Sequence, residues 1–244
     1  MKINTKSIQQ MLAEAYHAFG SGNLQLSRST LEQILSKQHR NVDAMQMLGA
    51  ICAIEKNYEE AITLFTKALK NNPGNPQLLF NRANALFETH HYSEALVDIN
   101  KSLLIQPNNH DAHLLQANSL GSLGRHEEAI SSYDKALSLK PNWPQALSNK
   151  ACILELQGRF DEAIGLFDKA IALNPGLAEA YSNRGNSLKK MKRFNEALIS
   201  YDQALAINPN YAEAHNNRGI TLHKMRRLDE ALACYSNAIA IKPD

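Results

Sequence analysis

A 34-residue beat runs through this chain and constrains its fold more than any other feature. Pro73, Pro107, Pro141, Pro175, Pro209 and Pro243 are one period apart. Ala61, Ala95, Ala129, Ala163, Ala197 and Ala231 keep the same register, as do Phe65, Ile99, Tyr133, Phe167, Tyr201 and Tyr235. A single globular core has no reason to reuse one spacing, because each of its parts meets a different packing problem. A chain that reuses one unit stacks copies of it, and such stacks display a long surface.

Within residues 178–211, Ala180, Tyr181, Gly185 and Leu188 recur at three- and four-residue intervals, which predicts one face of a helix. A short turn follows near Lys192–Phe194. Asn195 is then placed to cap a second helix, with Glu196 at its positive end. Ala197, Leu198, Tyr201, Ala204 and Leu205 form the second apolar stripe. Pro209 cannot extend that helix and restricts its predecessor, so the unit stops there.

Each unit is therefore a helix–turn–helix, and the expected fold is all-α. The windows are 42–75, 76–109, 110–143, 144–177, 178–211 and 212–244. Residues 8–41 fit a divergent first copy: Ala15, Gly22 and Leu31 hold register, while Ser27 and His39 replace alanine and proline. Divergence suits an end unit with one face in water. The last window stops at Ile241-Lys242-Pro243-Asp244 without a polar closing helix. That leads us to expect an excised repeat array, or self-association through the uncapped last repeat.

Composition narrows the function. Hydrophobic residues make up 44% and charged residues 20%, as in a folded protein, and the net charge is +2. That balance predicts neither nucleic acid nor membrane as a partner of the whole chain. No run of apolar residues is long enough to span a bilayer, and the N-terminus lacks the apolar core of a signal peptide. A cytoplasmic location is the expectation. Cys52, Cys152 and Cys234 fall in different phases of the repeat, so buried reduced thiols are expected rather than a zinc site or disulfide framework. His90 and His91 read as surface histidines. Neither cofactor nor metal is expected.

The recurring order of small residue, apolar residue, alanine, aromatic, alanine and proline resembles the tetratricopeptide repeat family. The resemblance runs over residues 8–244. The family's usual early tryptophan is here Met45, Leu79, His113, Leu147, Tyr181 or His215. The resemblance implies a right-handed α-solenoid whose concave surface is built mainly from the first helix of each unit. It also implies a protein or peptide partner.

In this register, positions 2, 5, 6, 9, 12 and 13 of the first helix lie opposite its core face. Asn81, Asn149, Asn183 and Asn217 stand at position 6, and Asn84, Asn118 and Asn186 at position 9. Asparagine is a poor helix former, so its reuse needs a reason. An amide that both donates and accepts suits the backbone of an extended peptide. A stripe that keeps the surface soluble, or that duplication copied, is the plainer alternative. The asparagines, with the motifs SNRGNSL and NNRGITL, also resemble the repeat region of O-linked N-acetylglucosamine transferases. That implies a second reading, a substrate-recruiting part of a larger glycosyltransferase. Position 5 lacks the lysine of the family's carboxylate-binding variant, so a chaperone-tail clamp is not expected.

Lys189, Lys190, Lys192 and Arg193 recur one unit later as His223, Lys224, Arg226 and Arg227. Lys189, Lys190 and Lys224 are candidates to meet acidic side chains in the groove. A solvated turn copied by duplication is the simpler origin. The chain carries no P-loop, His-Glu-x-x-His or Gly-x-Ser-x-Gly motif. Asp161-Glu162 and Asp229-Glu230 read as helix-start residues rather than catalytic pairs. The reading is a non-catalytic interaction scaffold, with a self-assembling array as a further alternative.

Overall fold

The protein is described here by a computed structural model covering residues 6–243. Every regular element among those residues is an α-helix. They form two compact units that divide between Gly124 and Arg125. The first holds α1 (Ile8–Gly20), α2 (Leu24–Lys37), α3 (Val42–Ile54), α4 (Tyr58–Asn71), α5 (Pro76–Glu88), α6 (Tyr92–Ile105) and α7 (His110–Ser122). The second holds α8 (His126–Leu139), α9 (Pro144–Leu156), α10 (Phe160–Leu173), α11 (Ala178–Lys190), α12 (Phe194–Ile207), α13 (Ala212–Lys224) and α14 (Leu228–Ile241). Odd-numbered helices are the first of each pair and even-numbered helices the second. Within each unit every helix packs on the next in sequence. First helices also touch each other directly, α3 with α5 and α5 with α7, and likewise α9 with α11 and α11 with α13.

The repeated alanines explain how close the pairs can come. Ala61, Ala95, Ala129, Ala163 and Ala197 are wholly buried, because anything larger would push the helices apart. Position 8 is tighter still. A Cβ added at Gly185 would sit 2.6 Å from the Tyr201 ring, and one at Gly49 would sit 2.6 Å from the Phe65 ring. Glycine here lets a second-helix aromatic lie flat on first-helix backbone. Phe65 and Tyr201 are buried in consequence, and each contributes roughly 2–3 kcal/mol of burial.

The turn inside each pair has one recurring requirement. Position 15 is left-handed in every copy, with φ between 62° and 79°. Gly22, Gly124 and Gly158 occupy it without strain, whereas Lys56, His90, Lys192 and Arg226 adopt it at a cost. The second helices of the second unit then start two residues earlier than a cap at the Asn195 position would place them. Arg125, Arg159, Arg193 and Arg227 are the N-cap residues, and none makes a side-chain cap bond. The expected Asn195 cap is therefore corrected. Each arginine instead grips the glutamate three residues on: Arg193 Nε and Nη2 donate to Glu196 at 2.7 and 2.6 Å.

A second set of side chains joins each pair to the next. From residues 42–75 onward, position 25 of one repeat reaches position 7 of the following first helix, whereas the first junction is held by Arg28 against Glu55 and Glu60. In the second unit the links are Asp134–Lys150 at 2.6 Å, Asp168–Arg184 at 2.8 Å and Asp202–Arg218 at 2.7 Å. In the first unit the same places hold Thr66–Arg82 at 3.1 Å and Asn100–Gln116 at 2.7 Å. Arg82 is also held inside its own pair by two bonds to Asp98, at 2.6 and 2.8 Å. The Asp98 side chain is only 3% exposed. At the other end of the first unit, α1 presents Gln10, Glu14 and His17 to solvent. The matching residues of α11 include Ala180 and Ser187, both buried.

Candidate functional site

Helical geometry puts positions 2, 6, 9 and 13 on one side of each first helix, and the direct contacts between first helices make that side continuous within a unit. The expected stripe needs one correction. Ser148 and Ser182 at position 5, and Met47 and Leu115 at position 6, are buried. Neighbouring first helices meet along that edge, so it faces a helix rather than water. Positions 2 and 13 are the exposed rims, and in the second unit positions 6, 9 and 12 form a mostly half-buried floor.

The sequence-derived candidates fall into two groups. In the first unit Asn84 and Asn118 border an open hollow of about 350 Å³ with Phe80, Asp111, Leu114 and Leu115. Asn81 lies half-buried on the same face and accepts a bond from Gln77 at 2.8 Å. In the second unit Asn149 is half-buried on α9, while the remaining candidates draw together on α11 and α13.

Lys189 is the centre of that group. It is half-buried, and its Nζ donates across the helix step to Asn217 Oδ1 at 3.0 Å and along its own helix to Asn186 Oδ1 at 3.4 Å. Tyr201 of α12 donates its hydroxyl to the same Asn186 oxygen at 2.9 Å. Its ring centre lies 5.9 Å from the ammonium, within the range of a cation–π contact. Asn183 donates to Cys152 Sγ on α9 at 3.4 Å. The oxygens of Asn186 and Asn217 are thus engaged internally, whereas their Nδ2 groups donate to no acceptor among the described residues. Lys190 and Lys224 stand exposed beside this cluster, at the C-terminal ends of α11 and α13.

The charges share a partly desolvated space. Burial pushes Lys189 below the ordinary lysine range, Lys190 and Lys224 push it further, and Glu155 and Glu213 oppose the shift. Glu155 of α9 is raised above the ordinary carboxylate range, chiefly by burial, while Lys190 and Lys189 hold it back. The expected basic ridge is therefore corrected in one part. Lys190 and Lys224 face solvent, but Lys189 is turned inward and committed to asparagines.

Sequence reasoning missed Glu155, Glu213 and Tyr201 as members of the cluster. Glu155 and Lys189 share position 12 in adjacent repeats, and Glu213 stands at position 2 beside the asparagines. Aligning all charged residues by position, not only the basic ones, exposes that signal. The cysteines also differ from expectation. Cys52 and Cys234 are buried, but Cys152 is only partly covered and faces the candidate floor. Burial and the nearby Glu155 and Glu179 push its thiol up to about 12, so it stays protonated. No group of residues able to hold a metal ion occurs among the described residues, and no described helix is long and apolar enough to cross a membrane.

Comparison with known families agrees with this construction. A family pattern described as the tetratricopeptide repeat matches residues 12–76 and 114–178, and related patterns of the same description match 53–119 and 212–244. The chain belongs to the tetratricopeptide repeat family. Among solved structures, a tetratricopeptide repeat protein from Parabacteroides merdae ATCC 43184 superposes with a TM-score of 0.77 at 20% identity. That match covers 96% of this chain and 93% of the other. YrrB, described as a TPR protein with an unusual peptide-binding site, matches at TM-score 0.59 and 25% identity, covering 74% of this chain and 93% of its own. MamA matches at TM-score 0.61 and 22% identity, covering 66% and 94%. No curated protein matches the chain. The asparagines and lysines of α11 and α13 therefore stand on first helices of tetratricopeptide units, and the position 25 to position 7 links join consecutive units.

Proposed function

We propose that the chain is a non-catalytic scaffold that holds an extended segment of a partner protein against the first helices of its second unit. The observation that carries this reading is the pair of unengaged Nδ2 donors on Asn186 and Asn217, fixed at their oxygens and flanked by exposed Lys190 and Lys224. An amide whose oxygen is already held presents its donor with little rotational freedom left to lose, which favours binding. Each backbone bond contributes only about 1 kcal/mol net, so charged side chains must supply specificity. The likeness to YrrB, a peptide-binding repeat protein, supports the same role.

The test uses dodecapeptides selected from a displayed random library on the intact protein. Asn186→Ala combined with Asn217→Ala is expected to weaken the selected peptides about tenfold while far-ultraviolet circular dichroism stays unchanged. Unaltered affinity rejects the assignment.

One observation favours a second reading, self-association. α14 exposes Leu228, Leu232 and Ile239. The equivalent of Leu232 on α12 is Leu198, which is buried in a cluster with Leu222 of α13. A second copy meeting this face through its own α14 would cover both stripes. Mass measured by light scattering would then rise with concentration and fall to the monomer with Leu232→Glu; a constant monomer mass rejects it.

A further inference from the structure

We infer that the segment held by the second unit is acidic and polyproline-II-like, carrying one apolar residue and two carboxylates at three-residue intervals. This rests on the peptide-binding reading above and specifies what that face selects. Position 13 of successive first helices reads Leu156, Lys190 and Lys224, all exposed, with Leu156 70% accessible. These residues end α9, α11 and α13, which touch one after another. Packed helices lie about 8–10 Å apart, so the rim offers an apolar contact and two ammoniums at that step.

Chain geometry then decides the ligand. A β-strand returns to the same side every second residue, about 6.7 Å on, and so falls out of step. A polyproline-II segment returns every third residue, about 9.3 Å on, and matches. An α-helix comes near the step at every seventh residue, about 10.5 Å on, but its backbone bonds are spent internally and offer nothing to the Asn186 and Asn217 donors. Polyproline-II backbone carbonyls are unpaired and available.

The opposite rim narrows the choice further. Glu179 and Glu213 stand exposed at position 2, about 16 Å from the lysines along each helix. A segment with acids on one side fits beside Lys190 and Lys224. A polyanion charged on all sides, such as single-stranded nucleic acid, meets the glutamates. Lys189, tied to Asn217, interacts with both exposed amines and adds positive field without occupying the ligand's place.

The probes are three synthetic peptides titrated into isotope-labelled full-length protein by NMR: Leu-Pro-Ser-Glu-Pro-Ser-Glu, its reverse, and the isomer Leu-Pro-Ser-Glu-Glu-Pro-Ser. At least one of the first two should bind about fivefold tighter than the isomer and move the signals of Asn186, Lys190, Asn217 and Lys224. Lys190→Ala with Lys224→Ala, both at exposed positions, should erase that preference. Equal affinity for all three peptides at those signals overturns the spacing while leaving the peptide face in place. Shifts confined to other residues, or none, overturn the spacing and count against the face itself. Comparable binding of a twelve-nucleotide single-stranded DNA at the same signals also overturns it.

Discussion

Five of the seven first-unit helices start with a neutral side-chain cap, whereas the four second helices of the second unit start with an ion pair. Ser7, Asn23, Asn41, Asn75 and Asn109 each accept a backbone N–H at the start of a first-unit helix. No helix of the second unit has a side-chain cap bond; Arg125, Arg159, Arg193 and Arg227 pair with glutamates instead. The links from position 25 to position 7 divide the same way, neutral hydroxyl and amide acceptors before Gly124 and three acid–base pairs after it, although the first junction of the first unit is itself charged, Arg28 meeting Glu55 and Glu60. A cap contributes about 1 kcal/mol, and an exposed ion pair about 0.3–0.5 kcal/mol that salt screens. The two halves thus reach one fold with different sensitivity to ionic strength. The charged half also carries the face proposed to hold the partner segment.

Three substitutions sharpen or break that contrast. The largest effect is expected at Asp98. Its removal leaves the partly buried Arg82 without its bidentate partner, a loss of about 3 kcal/mol. Urea unfolding of Asp98→Ala that costs under about 1 kcal/mol would show that the first unit holds no buried electrostatic staple. Next comes Lys192→Gly, which relieves a left-handed residue; a gain of about 1 kcal/mol is expected. Unchanged or lower stability would mean that the lysine stem repays its own strain. The smallest is Asp202→Ala, which leaves an exposed link unmade. About 0.5 kcal/mol should be lost at low salt and nothing measurable in 1 M sodium chloride. A loss that persists in high salt would mark the charged links as more than screened surface pairs.

Much of this fold was legible because one packing rule recurs. Buried Ala61, Ala95 and their equivalents, together with the aromatics facing Gly49 and Gly185, announce where two helices must touch. The start of α12 was less legible, since Asn195 is a good cap by type but the helix is capped two residues earlier, at Arg193, which pairs with Glu196. The turn itself leaves a trace in Gly22, Gly124 and Gly158, all at one position. The candidate face was half legible. The asparagines and lysines stand out by repetition, yet the inward turn of Lys189 depends on Tyr201 and Asn217, which lie on two other helices. Burial at positions 5 and 6 likewise comes from helix neighbours that no single unit encodes. The division at Gly124 has no counterpart in the beat, because it falls inside window 110–143.

The links at positions 25 and 7 bear on how such a chain can change length. In the second unit each junction is an aspartate meeting a lysine or arginine, so removing residues 150–183 would bring Asp134 against Arg184, a pair of the same chemistry. The parts are interchangeable, and the copy number can drift without redesigning a seam. The earlier junctions are bespoke: cutting residues 82–115 would set Thr66 against Gln116 and strip Asp98 and Arg82 out together. Gain or loss of a whole repeat therefore keeps the junction chemistry after Gly124 and changes it before Gly124.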